Sequence, residues 1–140
     1  MRDILKVEDL CVDYVTSDGG YVRAVDHVSF SIGAGKSLGL AGESGCGKST
    51  IAYSLMRLHK PPALITGGNI RMEGKNIMTM SNKELQKFRW EEVSMVFQSA
   101  MNCLNPVVTL EKQFFEIFKY HGITNNRKIA REKSEELLEI

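Results

Sequence analysis

The stretch Gly42-Glu43-Ser44-Gly45-Cys46-Gly47-Lys48-Ser49-Thr50 constrains this chain more than any other. It fits the spacing G-x-x-x-x-G-K-[ST] of a phosphate-binding loop. Gly42, Gly45 and Gly47 have no Cβ, so the backbone can take positive φ and come close to a phosphate. The loop's N–H groups then converge into a nest for an anion. A helix that follows adds its free N–H groups and the positive end of its dipole. Lys48 supplies a point charge for terminal phosphates, and the Ser49 hydroxyl is placed to ligate Mg²⁺.

The flanks decide whether such a match is meaningful. Lys36-Ser37-Leu38-Gly39-Leu40-Ala41 is a short, mostly apolar run bounded by glycines and reads as a buried strand. Ile51, Leu55 and Leu58 recur at helical spacing after the loop, with Ala52 and Met56 beside them. A glycine-rich turn that binds nothing has no need of Lys-Ser-Thr between a strand and a helix.

Composition narrows the class. At 140 residues, 43% hydrophobic and 25% charged, the chain has the size and make-up of one soluble globular domain. A net charge of +1 gives no footprint for nucleic acid. No apolar run approaches the roughly 18 residues of a membrane span. The first residues, through Asp9, are too charged for a signal peptide. Cys11, Cys46 and Cys103 are odd in number and far apart, which indicates neither a disulfide framework nor a zinc site and is compatible with a reduced cytosolic setting.

Taken in order, Leu10, Val12 and Tyr14 alternate along a strand over 4–15. Val7 is out of phase with Leu10, which places a bulge or twist near Glu8-Asp9. Thr16-Ser17-Asp18-Gly19-Gly20 is a turn, and Val28, Phe30 and Ile32 mark a second strand, antiparallel to the first. Pro61-Pro62 breaks the chain after the first helix. Asn69–Glu73 reads as an edge strand between glycines. Ser81 and Glu84 form a capping box for a helix to about Trp90. Val93–Phe97 reads as an apolar strand with Gln98 at its end. Thr109 caps a further helix, and Thr124 or Asn125 starts another, with Lys128–Glu132 and Arg131–Glu135 at i,i+4 spacing.

Tyr14, the loop at 42–50, Gln98, and Ser99-Ala100-Met101-Asn102-Cys103-Leu104-Asn105-Pro106 occur in this order. In that combination the chain resembles the N-terminal part of an ATP-binding-cassette (ABC) transporter ATPase. Ala24-Val25-Asp26-His27-Val28-Ser29-Phe30, the loop, and Met95-Val96-Phe97-Gln98 followed by Leu104-Asn105-Pro106 are similar to the oligopeptide and dipeptide importer subfamily. Ser99-Ala100 departs from the Asp-Pro that commonly follows the glutamine there.

The resemblance implies an α/β P-loop NTPase fold: a RecA-like cassette core, an N-terminal antiparallel β subdomain and the start of a helical subdomain. Residues 1–98 correspond to the β subdomain and part of the core, and 99–140 to the glutamine loop and the start of the helical part. The resemblance implies ATP and Mg²⁺ as ligands, with Gly42, Ser44, Gly45, Cys46, Gly47, Lys48, Ser49 and Thr50 around the phosphates. Ser49 and Gln98 would face the metal, and Lys48 and Gln98 would act on the γ-phosphate. Tyr14, with Tyr21 as rival, would stack on the adenine. Cys46 stands where serine also fits and reads as a small tolerated side chain. Expected partners are membrane permease subunits, docking at 99–108 and the following helix, whose Phe114, Phe115 and Phe118 read either as docking surface or as simple core, and a second ATP-binding subunit. The expected location is the cytoplasmic face of the membrane. No Leu-Ser-Gly-Gly-Gln run and no apolar strand ending in Asp-Glu is present, and His27, His59 and His121 are not placed as a switch histidine. The chain ends at Ile140 inside a charged helical pattern and reads as a portion of a longer cassette with little hydrolysis of its own. A GTPase or nucleotide kinase is the alternative, weakened by the lack of Asn-Lys-x-Asp. A soluble ABC protein is a further one.

Overall fold

The computed structural model describes residues 2–97 and 104–139. They fall into two compact units, Met1–Val93 and Ser94–Ile140.

The first unit is built on a long hairpin. Strands β1 (Asp3–Val15) and β2 (Tyr21–Gly33) run antiparallel. β3 (Ala63–Met72) pairs with the other edge of β1, and the two-residue β4 (Lys75–Asn76) pairs with β3, giving the order β2-β1-β3-β4. β1 is therefore central, which explains why Leu5, Val7, Leu10 and Val12 are all buried. The expected bulge is real. Between the pairs Val7↔Phe30 and Leu10↔Val28, β1 has two residues, Glu8 and Asp9, against Ser29 alone. The extra residue moves the apolar set from odd to even positions, so it stays on the core face. Asp9 takes φ 54 there, and its N–H donates to Ser29 Oγ at 2.8 Å.

Helix α1 (Lys48–Leu55) lays Ile51 on the sheet, and α2 (Asn82–Glu91) adds Leu85 and Phe88 to the same core. The capping box of α2 forms as expected: Ser81 Oγ accepts from the Glu84 N–H, and the Glu84 carboxylate accepts from the Ser81 N–H at 2.8 Å. α1 stops at Leu55, so Leu58 lies beyond it; Arg57 turns to φ 48. Arg89 donates to the carbonyls of Met56 and Arg57, occupying acceptors that the helix end leaves free.

Two expected strands are absent. Residues 36–41 and 93–97 are irregular. A strand inside a sheet is held by ladder bonds to its neighbours, and among the described residues no strand lies beside either run. Leu38 and Leu40 are accordingly 45% exposed and Val96 94%. β3 reaches back through Gly67-Gly68 rather than starting after them, because residues Ala63–Gly67 continue the ladder with β1.

The second unit is a helical pair, α3 (Leu110–Tyr120) and α4 (Arg127–Leu138). Thr109 caps α3 as expected, its hydroxyl accepting from the Lys112 N–H. α4 is capped by neither Thr124 nor Asn125: the Asn126 side chain accepts from the Lys128 N–H at 2.9 Å, and the Thr124 hydroxyl accepts from the Asn126 N–H instead. Phe118, Ala130 and Ser134 are buried. Phe118, one of the expected docking residues, is thus core, whereas Phe114 and Phe115 stay half-buried. Arg131 and Glu135 pair at 2.9 Å.

Candidate functional site

The loop adopts the backbone its glycines permit. Gly42, Gly45 and Gly47 have φ of 154°, 81° and 93°. Gly47 is also demanded by neighbouring backbone, whereas Gly42 meets only the tip of an exposed side chain. A β-carbon at Gly47 would lie 2.6 Å from the carbonyl oxygen of Ala24, and one at Gly42 would lie 2.6 Å from Cys46 Sγ. Gly47 is the N-cap of α1 and its carbonyl accepts the Ile51 N–H at 2.9 Å, so the loop leads straight into the helix start. This is the geometry that presents unpaired N–H groups and a positive dipole end to an anion.

Lys48 folds back over the loop. Its Nζ donates to the carbonyls of Gly42 at 2.8 Å and Glu43 at 2.6 Å and lies 3.2 Å from Cys46 Sγ. The ammonium is therefore held by the loop's own carbonyls. Ser44, Gly45, Cys46 and Ser49 are exposed and face solvent, whereas Thr50 is buried. The Ser49 hydroxyl at the head of α1 is a suitable single oxygen ligand for Mg²⁺, a hard ion that keeps several waters and the phosphates as its other ligands. With ATP and Mg²⁺ bound, the phosphoryl group and metal would supply the reacting bond and the charge neutralisation.

Tyr14 lies beside this helix. Its hydroxyl is 3.5 Å from Thr50 Oγ1, and its ring is 36% exposed. Tyr21, at the far end of the turn and paired with Val15, is 68% exposed. The structure thus brings Tyr14 and the loop together. Gln98 lies outside the described residues, as do Ser99–Cys103.

Sequence reading missed a polar network on the hairpin, in which exposed Arg23 and Thr66 cover Asp13. Asp13 is buried, and its carboxylate accepts from Arg23 at 3.0 and 3.3 Å and from Thr66 Oγ1 at 2.5 Å. Those bonds from Arg23 and then Thr66 hold the acid below the usual carboxylate range, and the pairing raises Arg23 above its ordinary value. A charged residue between Val12 and Tyr14 in an alternating strand was the available signal. His59 bonds to the buried Ser54 hydroxyl at 2.8 Å, and partial burial lowers its pKa.

Residues 25–139 match the family model for ABC transporters. The chain belongs to the ABC transporter family. Relatives within it include the oligopeptide transport ATP-binding protein OppD of Bacillus subtilis, 38% identical over 98% of this chain and 38% of that protein. AppF of the same organism, another oligopeptide transport ATP-binding protein, is 40% identical over 99% of this chain and 40% of its own length. OppD of Escherichia coli is 42% identical over 84% of the chain and 34% of its own length. The cassette chain therefore spans about two fifths of the length of these relatives. A solved ATP-binding cassette, dimeric in a post-hydrolysis state with ADP and phosphate, superposes with a TM-score of 0.71 over 91% of this chain and 54% of that one at 23% identity. The antiparallel β subdomain and helices that the resemblance implies for the N-terminal part of a cassette are those observed, and among the described residues no helix is long and apolar enough to cross a membrane.

Proposed function

We propose that this cassette chain binds Mg²⁺-ATP at 42–50 as part of the ATP-binding subunit of an importer for oligopeptides or a related solute. The observation that carries the reading is the loop itself: three glycines at positive φ, leading into α1 with Lys48 folded over the nest. The oligopeptide names of its relatives support the solute class. Tyr14 stacks on the adenine, Lys48 transfers its ammonium from loop carbonyls to the β- and γ-phosphates, and Ser49 and Gln98 face the metal. In the longer protein, ATP-driven pairing with a second cassette works permease subunits, at the cytoplasmic face of the membrane. Residues 99–108, with Phe114 and Phe115, form the docking side. By themselves the 140 residues hold phosphates and turn them over slowly or not at all, because no apolar run ending in Asp-Glu is among them.

The test is titration with fluorescent ATP and GTP in Mg²⁺. ATP is expected to bind in preference to GTP, and Lys48→Ala to weaken it by about 10- to 150-fold, the loss of charge-assisted bonds worth roughly 1.5–3 kcal/mol. Preference for GTP, or binding indifferent to Lys48, overturns the ATP site. In cells carrying the longer protein, Lys48→Ala is expected to abolish peptide uptake; unchanged uptake overturns the transport role.

A further inference from the structure

The hairpin carries a second cluster of chemically active side chains, separate from the loop. Between the pairs Leu10↔Val28 and Val12↔Val25, β1 has one residue, Cys11, and β2 has two, Asp26 and His27. This bulge lies one pair away from the Glu8-Asp9 bulge and on the opposite strand. Together they turn Asp9, Cys11, Asp26 and His27 toward one patch. His27 has φ 49 there, and its N–H donates to Cys11 Sγ at 3.4 Å. The imidazole Nδ1 is 2.7 Å from an Asp9 carboxylate oxygen, while Nε2 is 3.8 Å from Asp26 Oδ1. One ligand atom each from Cys11, Asp26 and His27 lies within 4.8 Å of the others.

From this geometry we infer that Cys11, Asp26 and His27 form a site for a borderline-soft divalent cation of the zinc class, with Asp9 orienting the histidine. The donor set selects the ion. Mg²⁺ and Ca²⁺ take oxygen ligands, whereas sulfur, imidazole and carboxylate together suit Zn²⁺. A carboxylate on the second ring nitrogen fixes the tautomer that leaves Nε2 as the ligand, the arrangement common around zinc-bound histidines. Cys11 is buried, so its sulfur is a fixed anchor, and the exposed Asp26 and His27 side chains close onto the ion by about an ångström to reach bonds of roughly 2.0–2.3 Å. Arg23 bonds to Asp26 at 3.0 Å, but it is already neutralised by Asp13. Asp9 and Asp26 therefore leave the patch negative, which favours a cation. Binding releases the thiol proton to solvent as the Cys11–metal bond forms.

Cobalt(II) is the probe, added to the reduced 140-residue chain and followed by absorption. A thiolate-to-cobalt charge-transfer band is expected at one equivalent, bleached by one equivalent of zinc. Cys11→Ser and His27→Gln are each expected to abolish the band, and Asp9→Asn to weaken cobalt binding by about 10- to 100-fold. The double variant Cys46→Ser, Cys103→Ser is expected to retain it. His27 is exposed, so His27→Gln with unchanged circular dichroism reads the site without loss of fold. Absence of the band in the folded chain, or its survival in Cys11→Ser or His27→Gln, overturns the proposal.

Discussion

The α-carbon of Gly47 faces the carbonyl oxygen of Ala24 so closely that a β-carbon there would lie 2.6 Å from it. Ala24 is an unpaired residue of β2, lying between the pairs Val12↔Val25 and Asp13↔Arg23. The phosphate loop is thus seated on an irregularity of the hairpin. Gly47→Ala is expected to lower stability by at least about 2 kcal/mol, from left-handed strain and displaced backbone together. Gly45→Ala, also at positive φ but with open space around it, is expected to cost about 1 kcal/mol. Urea unfolding of the two variants decides this; equal midpoints would show that the Ala24 contact adds nothing.

Tyr14 and Tyr21 make opposite forecasts for nucleotide binding. Stacking on a base contributes roughly 1–3 kcal/mol, so Tyr14→Ala is expected to weaken ATP binding by about 5- to 150-fold. Tyr14→Phe keeps the ring and loses only the 3.5 Å approach to Thr50, so it is expected to bind nearly as well. Tyr21→Ala is expected to bind like the parent chain. Isothermal titration of the three variants measures this, and a loss confined to Tyr21→Ala would reverse the assignment.

Asp13 gives the fold a pH signature. Its pKa is lowered in the folded chain by Arg23 and Thr66. A depressed carboxylate contributes stability that is present above its unfolded pKa of about 3.9 and is lost as pH falls through the folded value. Stability is therefore expected to drop on acidification below about pH 4, and Asp13→Asn to flatten that drop while weakening the fold at neutral pH. Thermal unfolding between pH 2 and 7 reads it; an unchanged slope in the variant would remove Asp13 from the account.

Ser81→Ala removes the hydroxyl that caps α2 and is expected to cost about 1 kcal/mol. Ser81→Asp, which can cap the same N–H, is expected to recover most of it in the same unfolding assay.

What the residues made legible was local. The glycines of 42–50 announce their conformation because other residue types rarely adopt it, and Lys48 announces its charge. The capping residues Ser81 and Thr109, and the phase change at Val7 and Leu10, are likewise short-range signals. The failures share another cause. Residues 36–41 and 93–97 are apolar enough for strands, but a strand needs neighbours, and pairing is not a property of one segment. The Asp13–Arg23–Thr66 network and the Asp9–His27 contact join residues 10 to 53 positions apart, and neither spacing nor periodicity reports such meetings.

β1 and β2 are each 13 residues long. Their pairing shifts at four places, and two of these give the extra residue to β1 and two to β2. The hairpin therefore ends in the register in which it begins. A deletion in one strand alone would swing Tyr14 and its neighbours to the opposite face of the sheet. Loss of one residue from each strand would restore the pairing of Tyr14 with Val22. In descendants of this chain, changes in length on the two sides of the Thr16–Gly20 turn should be inherited in pairs, because each strand keeps count for the other.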